Sequence, residues 1–154
     1  ACYKNYYNSY GQIMPTQSPN TDIQAIENLL NRFEISIAAG IASNLSDLFC
    51  EQATALFTGS SNLIRGRAAI VSTWQRHMDK WMDIKIDRQD TLVRIHGDVA
   101  WATFYWNGEG TANQSRYRIE NERWSAVILW EEGDWRFTQM QTSLPYKNWE
   151  AHKL

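Results

Sequence analysis

Few side chains in this chain of 154 residues could move a proton. His77 is the one histidine of three that falls inside a helical pattern, between Trp74 and Trp81. An imidazole with an ordinary pKa exchanges protons near neutral pH, so His77 is the candidate general acid or base. A packed ring using one nitrogen for a hydrogen bond is the plainer alternative. Three dispersed histidines without carboxylates at ligand spacing give no metal site. Neither a phosphate-cradling glycine loop nor a nucleophile elbow nor a Cys–His pair is present, and Gly108-Glu109-Gly110 reads as loop punctuation. These residues imply no cofactor. Asp79, Asp83, Asp87 and Asp90 read as solvated charges, and Asp98 and Asp134 as turn residues. Glu34 borders an apolar stripe and could graze a cavity, although the solvent side is the expected place for it.

Three long strands must position anything near His77: Val99–Asn107, Arg116–Glu131 and Trp135–Ser143. Five of the eight tryptophans lie between Trp101 and Trp135, so both faces of such a sheet need covering. By the two-residue period of a strand, Trp135, Phe137, Gln139, Gln141 and Ser143 share a face. Arg123 and Ser125 alternate with Trp124 and Ala126, and Phe104 and Trp106 with Trp101 and Tyr105. Turned toward the helices, Arg123, Ser125, Gln139 and Gln141 would floor a polar pocket. Trp74, Met78, Trp81, Phe104 and Trp106 would supply its apolar walls. Arg123, if buried there, needs an acidic partner or an anionic ligand. The alternatives are a hydrated or dimer-forming outer face, and aromatics that simply fill the core.

Upstream, residues 1–20 are rich in Tyr, Asn, Ser, Gln and Pro and read as a flexible arm. Thr21-Asp22-Ile23-Gln24 has the form of a capping box. Behind it Ile23, Ile26, Leu30, Phe33 and Ile37 fall on one helical face, ending near Gly40. Ser43–Phe49 suggests a short second helix, Ala53–Thr58 a strand, and Gly66 to about Trp81 a third helix. Ile84–Arg88 and Leu92–His96 read as strands, with a tight turn at His96-Gly97-Asp98. Gly108–Ser115 is expected as a polar loop, and 146–154 as a polar tail. Helices first and a meander after predict one α+β domain over 21–145, with helices packed on one face of a curved antiparallel sheet.

Composition narrows the function classes. A net charge of −2 and a pI near 5.9 leave no electrostatic footprint for nucleic acid. No stretch approaches the apolar length of a membrane span, and no charged n-region with h-region begins the chain. A cytoplasmic protein is expected, with a processed secreted or lipoprotein form as the alternative, Ala1-Cys2 being its only trace. Cys2 and Cys50 read as unpaired, Cys50 as a small buried hydrophobe.

The stretch Ile64-Arg65-Gly66-Arg67-Ala68-Ala69-Ile70, then Val93–Ala102 with Gly97-Asp98-Val99-Ala100, Arg123 to Trp130, Gly133-Asp134-Trp135-Arg136-Phe137 and Ser143-Leu144-Pro145 together resemble the nuclear transport factor 2-like superfamily. The resemblance is to its SnoaL-like and ketosteroid-isomerase-like branch and covers residues 21–145. It implies a cone-shaped α+β barrel with an open mouth, in a fold whose members include isomerases, hydrolases, cyclases, ligand binders and assembly domains. It also implies a homodimer through the outer sheet face, where Trp101, Tyr105, Trp124 and Trp130 would otherwise meet water. Two positions depart from the family pattern. Gln141 stands two residues before the closing serine, where members often carry a histidine, and Phe33 stands where the isomerase branch has a tyrosine. The leading expectation is a protein that holds a small apolar or mixed-polarity molecule in the cone. An isomerase, cyclase or hydrolase working by general acid–base catalysis is the second, and a dimerisation module with a filled core the third.

Overall fold

The computed structural model describes residues 19–145; the tail expected at 146–154, and nearly all of the expected arm, lie outside the described residues. Helix α1 spans Pro19–Ala39. Ile26, Leu29, Leu30, Phe33 and Ile37 recur every three or four residues, and all are buried. Proline in the first turn has no N–H to leave unpaired. The helix therefore begins two residues ahead of Thr21, and the expected capping box lies inside it. Its end is a Schellman closure. Gly40 takes a φ of 71°, its N–H donates to Ile37, and the Ile41 N–H donates to Ser36.

A 3-10 helix, Ala42–Leu48, buries Leu45 and Leu48 and leads directly into β1, Phe49–Leu56. A two-residue strand β2, Ile64–Arg65, precedes α2, Arg67–Lys80. Then come β3 (Met82–His96), β4 (Val99–Ala112), β5 (Ser115–Glu131) and β6 (Asp134–Ser143). They form one six-stranded sheet in the order β2-β1-β6-β5-β4-β3. Every pairing is antiparallel except one: β1 lies parallel to β6, Ala55 opposite Met140. Three helical segments pack on this curved sheet, giving the cone-shaped α+β fold.

Two expected boundaries fall differently. The segments 84–88 and 92–96 are one strand, bent where Asp90 takes a φ of 53° and the register with β4 slips between Gln89 and Leu92. The polar loop expected at 108–115 is mostly ladder. Its chain reverses through Asn113 and Gln114 alone, at φ values of 50° and 63°, the mirror-image turn that suits strand twist.

A bulge in β6 reverses the facing of that strand's second half. Ile128 pairs with Phe137 and Val127 with Gln139, so Thr138 is an extra residue on β6. Trp135 and Phe137 face the helices, and beyond the bulge Met140 and Thr142 do so too. Strict alternation fails here.

Phe33 is the hub of the core. Its ring meets those of Phe49, Trp74, Trp106, Trp124 and Phe137 at centroid distances of 5.6–6.2 Å, each near edge-on. A polar tie fixes α1 to β3: the Arg88 guanidinium, 10% exposed, binds Glu27 and Glu34 of α1 and also Asn31 and Thr91. Glu34, expected on the solvent side, is thus half-buried. Its carboxyl pKa is raised, because burial outweighs the attraction of Arg88. Cys50 is a buried free thiol, its pKa pushed up to about 11 by burial and then by Glu131.

Candidate functional site

Gly66 turns the chain from β2 into α2 at a φ of 88°, and its N–H donates to Ala53 of β1 at 2.7 Å. That anchor aims one side of α2 across the concave face of the sheet. Ile70, Trp74 and Met78 are buried by it, while His77 and the following Trp81 lie toward one open end. Between α2 and the sheet is a half-open cavity of about 610 Å³.

Indoles dominate its wall. Trp106 and Trp124 stack at 4.6 Å and 18°, and Trp74 lies nearly parallel to Trp124 at 6.3 Å. Phe57 meets Trp74 edge-on at 5.3 Å. Gly108 and Gly110 are strand residues that make room rather than loop punctuation. A Cβ on Gly110 would stand 3.2 Å from Trp81, and one on Gly108 3.1 Å from Ile119 and 3.3 Å from the Trp106 Nε1. Thr142 gives the wall a polar spot: its Oγ1 accepts the Thr58 N–H at 2.7 Å and lies 2.9 Å from the Thr58 hydroxyl.

Two carboxyl groups line this cavity, Glu109 at the mouth and Glu122 in the wall. Glu122 is 7% exposed, and its Oε2 accepts the Trp124 Nε1–H at 2.8 Å. A second bulge places it there. Between Trp106 and Gly108 of β4, β5 carries one residue too many, and Asn121 absorbs it with a φ of 54° and an N–H bond to Asn107 Oδ1. Ile119 and Glu122 consequently both face inward. Sequence reasoning passed over Glu122. The available signal was Asn121, a residue disfavoured in strands but at ease with positive φ.

At the mouth, His77 lies between two rings, 5.4 Å from Trp74 and 5.9 Å from Trp81. Surrounding protein, and then the charge of Lys80, lower its pKa below the usual 6.5. It is therefore held toward the neutral imidazole, able to accept a proton. Tyr117 closes on Trp81 at 5.2 Å. Glu109 binds Arg116 at 2.7 Å and Arg118 at 3.3 Å, and the Arg116 hydrogen bond foremost lowers its carboxyl pKa.

Of the residues expected at a site, His77, Trp74, Trp81 and Trp106 line this cavity. Met78 and Phe104 are buried beside it without lining it, Phe104 stacked against Trp124 at 5.7 Å. The expected polar floor is a correction. Arg123 and Ser125 lie on the opposite face of the sheet because Trp124, Ala126 and Ile128 take the inward positions of β5, and Gln139 and Gln141 do so because the Thr138 bulge turns Met140 and Thr142 inward in their place. Arg123 is satisfied there by Ser143 Oγ at 3.1 Å and the Leu144 carbonyl at 3.2 Å. Trp124, expected on the outer face, is 3% exposed in the wall, whereas Trp101 and Tyr105 do face outward, 44% and 42% exposed. Among the described residues no group of His, Cys, Asp and Glu is placed to hold a metal ion, and no helix is long and apolar enough to cross a membrane.

A curved sheet packed by N-terminal helices is the architecture of the nuclear transport factor 2-like superfamily. The chain belongs to its SnoaL-like domain family, whose model matches residues 26–147. Solved structures agree on the fold. A putative dehydratase of the same superfamily from Streptomyces avermitilis superposes with a TM-score of 0.77 at 16% identity, covering 84% of this chain and 99% of that one. A superfamily protein from Salmonella enterica serovar Typhimurium reaches 0.77 at 19% identity, covering 85% and 96%. A putative scytalone dehydratase from Novosphingobium aromaticivorans reaches 0.74 at 13% identity, covering 82% and 86%. No curated protein matches the chain in sequence.

Proposed function

We propose that this protein, as a single domain over residues 21–145, binds a small, largely apolar molecule in the cavity between α2 and the sheet. The observation that carries the reading is the wall itself. Trp74, Trp106 and Trp124 surround about 610 Å³ of space with indole rings, broken by a few polar groups. That volume and that mixture suit a ligand site. They also weigh against a dimerisation module whose cone is filled by its own side chains. A homodimer through the outer face of the sheet belongs to the same proposal, supported by Trp101 and Tyr105 standing exposed there.

Native mass spectrometry of the purified protein tests this. The expected result is a dimer that carries, or on incubation takes up, one small molecule per protomer. A protein that takes up nothing from a diverse set of aromatic and alicyclic compounds would overturn the binding reading.

An enzyme is the second reading, favoured by one observation: His77 and Glu122, both able to exchange protons, line the same cavity. General acid–base chemistry on the bound molecule would use them in concert, in keeping with the putative dehydratases that share the fold. If so, His77→Gln and Glu122→Gln each lower turnover of an identified ligand by about a hundredfold or more while leaving its binding within a few-fold. Unchanged turnover in both would remove this reading.

A further inference from the structure

The cavity wall contains a charge that its surroundings do not balance. Glu122 is 7% exposed, its Oε2 accepts the Trp124 Nε1–H, and its Oε1, which is not among the fully enclosed unpartnered atoms, is left open to the cavity. None of the ion pairs among the described residues includes it. A buried carboxylate without a cation is unfavourable. Aromatic rings line the space beside it, and an aromatic ring attracts positive charge wherever its face is open. The basic groups nearby are already engaged or neutral. Arg118 is shared between Glu109 and Glu120, and His77 is held toward its neutral form. Trp81 at the mouth already has a cation over it, the Lys80 ammonium at 5.4 Å.

Granting that the cavity is a ligand site, we infer that its ligand is an organic monocation: an aromatic or alicyclic body bearing an ammonium head, with the head against Glu122 and the body among Trp74, Trp106 and Trp124. An anion would meet Glu122 with like charge. A purely apolar molecule would leave the carboxylate without a counter-charge.

Tryptophan fluorescence titration with three small probes separates these cases. Phenyltrimethylammonium is the cation, tert-butylbenzene its neutral isostere and benzoate the anion. The expected order is cation tightest by about tenfold over the isostere, as a desolvated cation–aromatic contact allows, and benzoate weakest. In Glu122→Gln the preference for the cation should fall below about threefold, with the neutral isostere bound as before. The wild-type series decides the matter even if that variant folds poorly. Equal or tighter binding of the neutral isostere overturns the cation assignment and leaves the cavity reading standing. A failure of all three to bind below about 10 mM, the weakest affinity expected of ten-atom ligands in a formed pocket, overturns both.

Discussion

Phe33 ties helix α1 to the core, touching five aromatic neighbours from one helical position. Its truncation to alanine should cost about 4 kcal/mol, as for large buried aromatics, measured by urea unfolding. Trp74 offers a finer test. Its Nε1 is buried without a partner, so Trp74→Phe removes an unsatisfied donor as well as volume. The phenylalanine variant should lose less than half of the roughly 3–5 kcal/mol lost by Trp74→Ala, and both should weaken ligand binding. His77 makes stability pH-dependent. With a folded pKa below the unfolded one, it binds fewer protons when folded, so its contribution is full above about pH 6.5 and is lost as pH falls through the lowered value. Urea midpoints followed from about pH 7.5 to 5 should fall more in the wild type than in His77→Gln. Helical periodicity was enough to bring Trp74, His77 and Trp81 together from sequence. Glu122 escaped because its facing depends on one extra residue, and a period-two reading cannot register an insertion.

At the level of elements, the tie between α1 and β3 is the feature most open to test. Arg88→Met leaves Glu27 and Glu34 facing each other without their cation, and should destabilise by about 3 kcal/mol. Since Glu34 is already strained toward its protonated form, the loss in Arg88→Met should shrink as pH is lowered toward 4.5, which thermal melts at several pH values would reveal. The strand glycines give a second prediction. Gly110→Val drives a side chain into the space of Trp81 and should narrow the cavity mouth, weakening ligand uptake more than it lowers the melting temperature. Helices and long strands were legible in the order of apolar residues, since burial of a face imposes its period. Less legible was where strands continue through glycine and asparagine. Gly108 and Gly110 look like loop residues by type, yet they are glycine because tryptophans from the same wall lie over them.

For the whole molecule, the exposed outer face sets the expected assembly. Trp101→Lys puts a charge at the centre of the proposed contact without touching the core. Sedimentation should show a dimer for the wild type and a monomer for the variant, at stabilities within about 0.5 kcal/mol of each other. The fold as a whole was readable from the order of its elements, helices before meander, together with the resemblance of scattered short motifs. The parallel seating of β1 beside β6 was not, because strand neighbours far apart in sequence leave no local mark. That seating has a consequence for how the chain is made. Thr58, at the end of β1, finds its partner in Thr142, 84 residues later. While the chain leaves the ribosome, β1 and β2 have no sheet to join until β6 has emerged, and β6 is nearly the last described segment to do so. The aromatic hub must therefore stay open until β6, the last of the six described strands, has been made, and close around it.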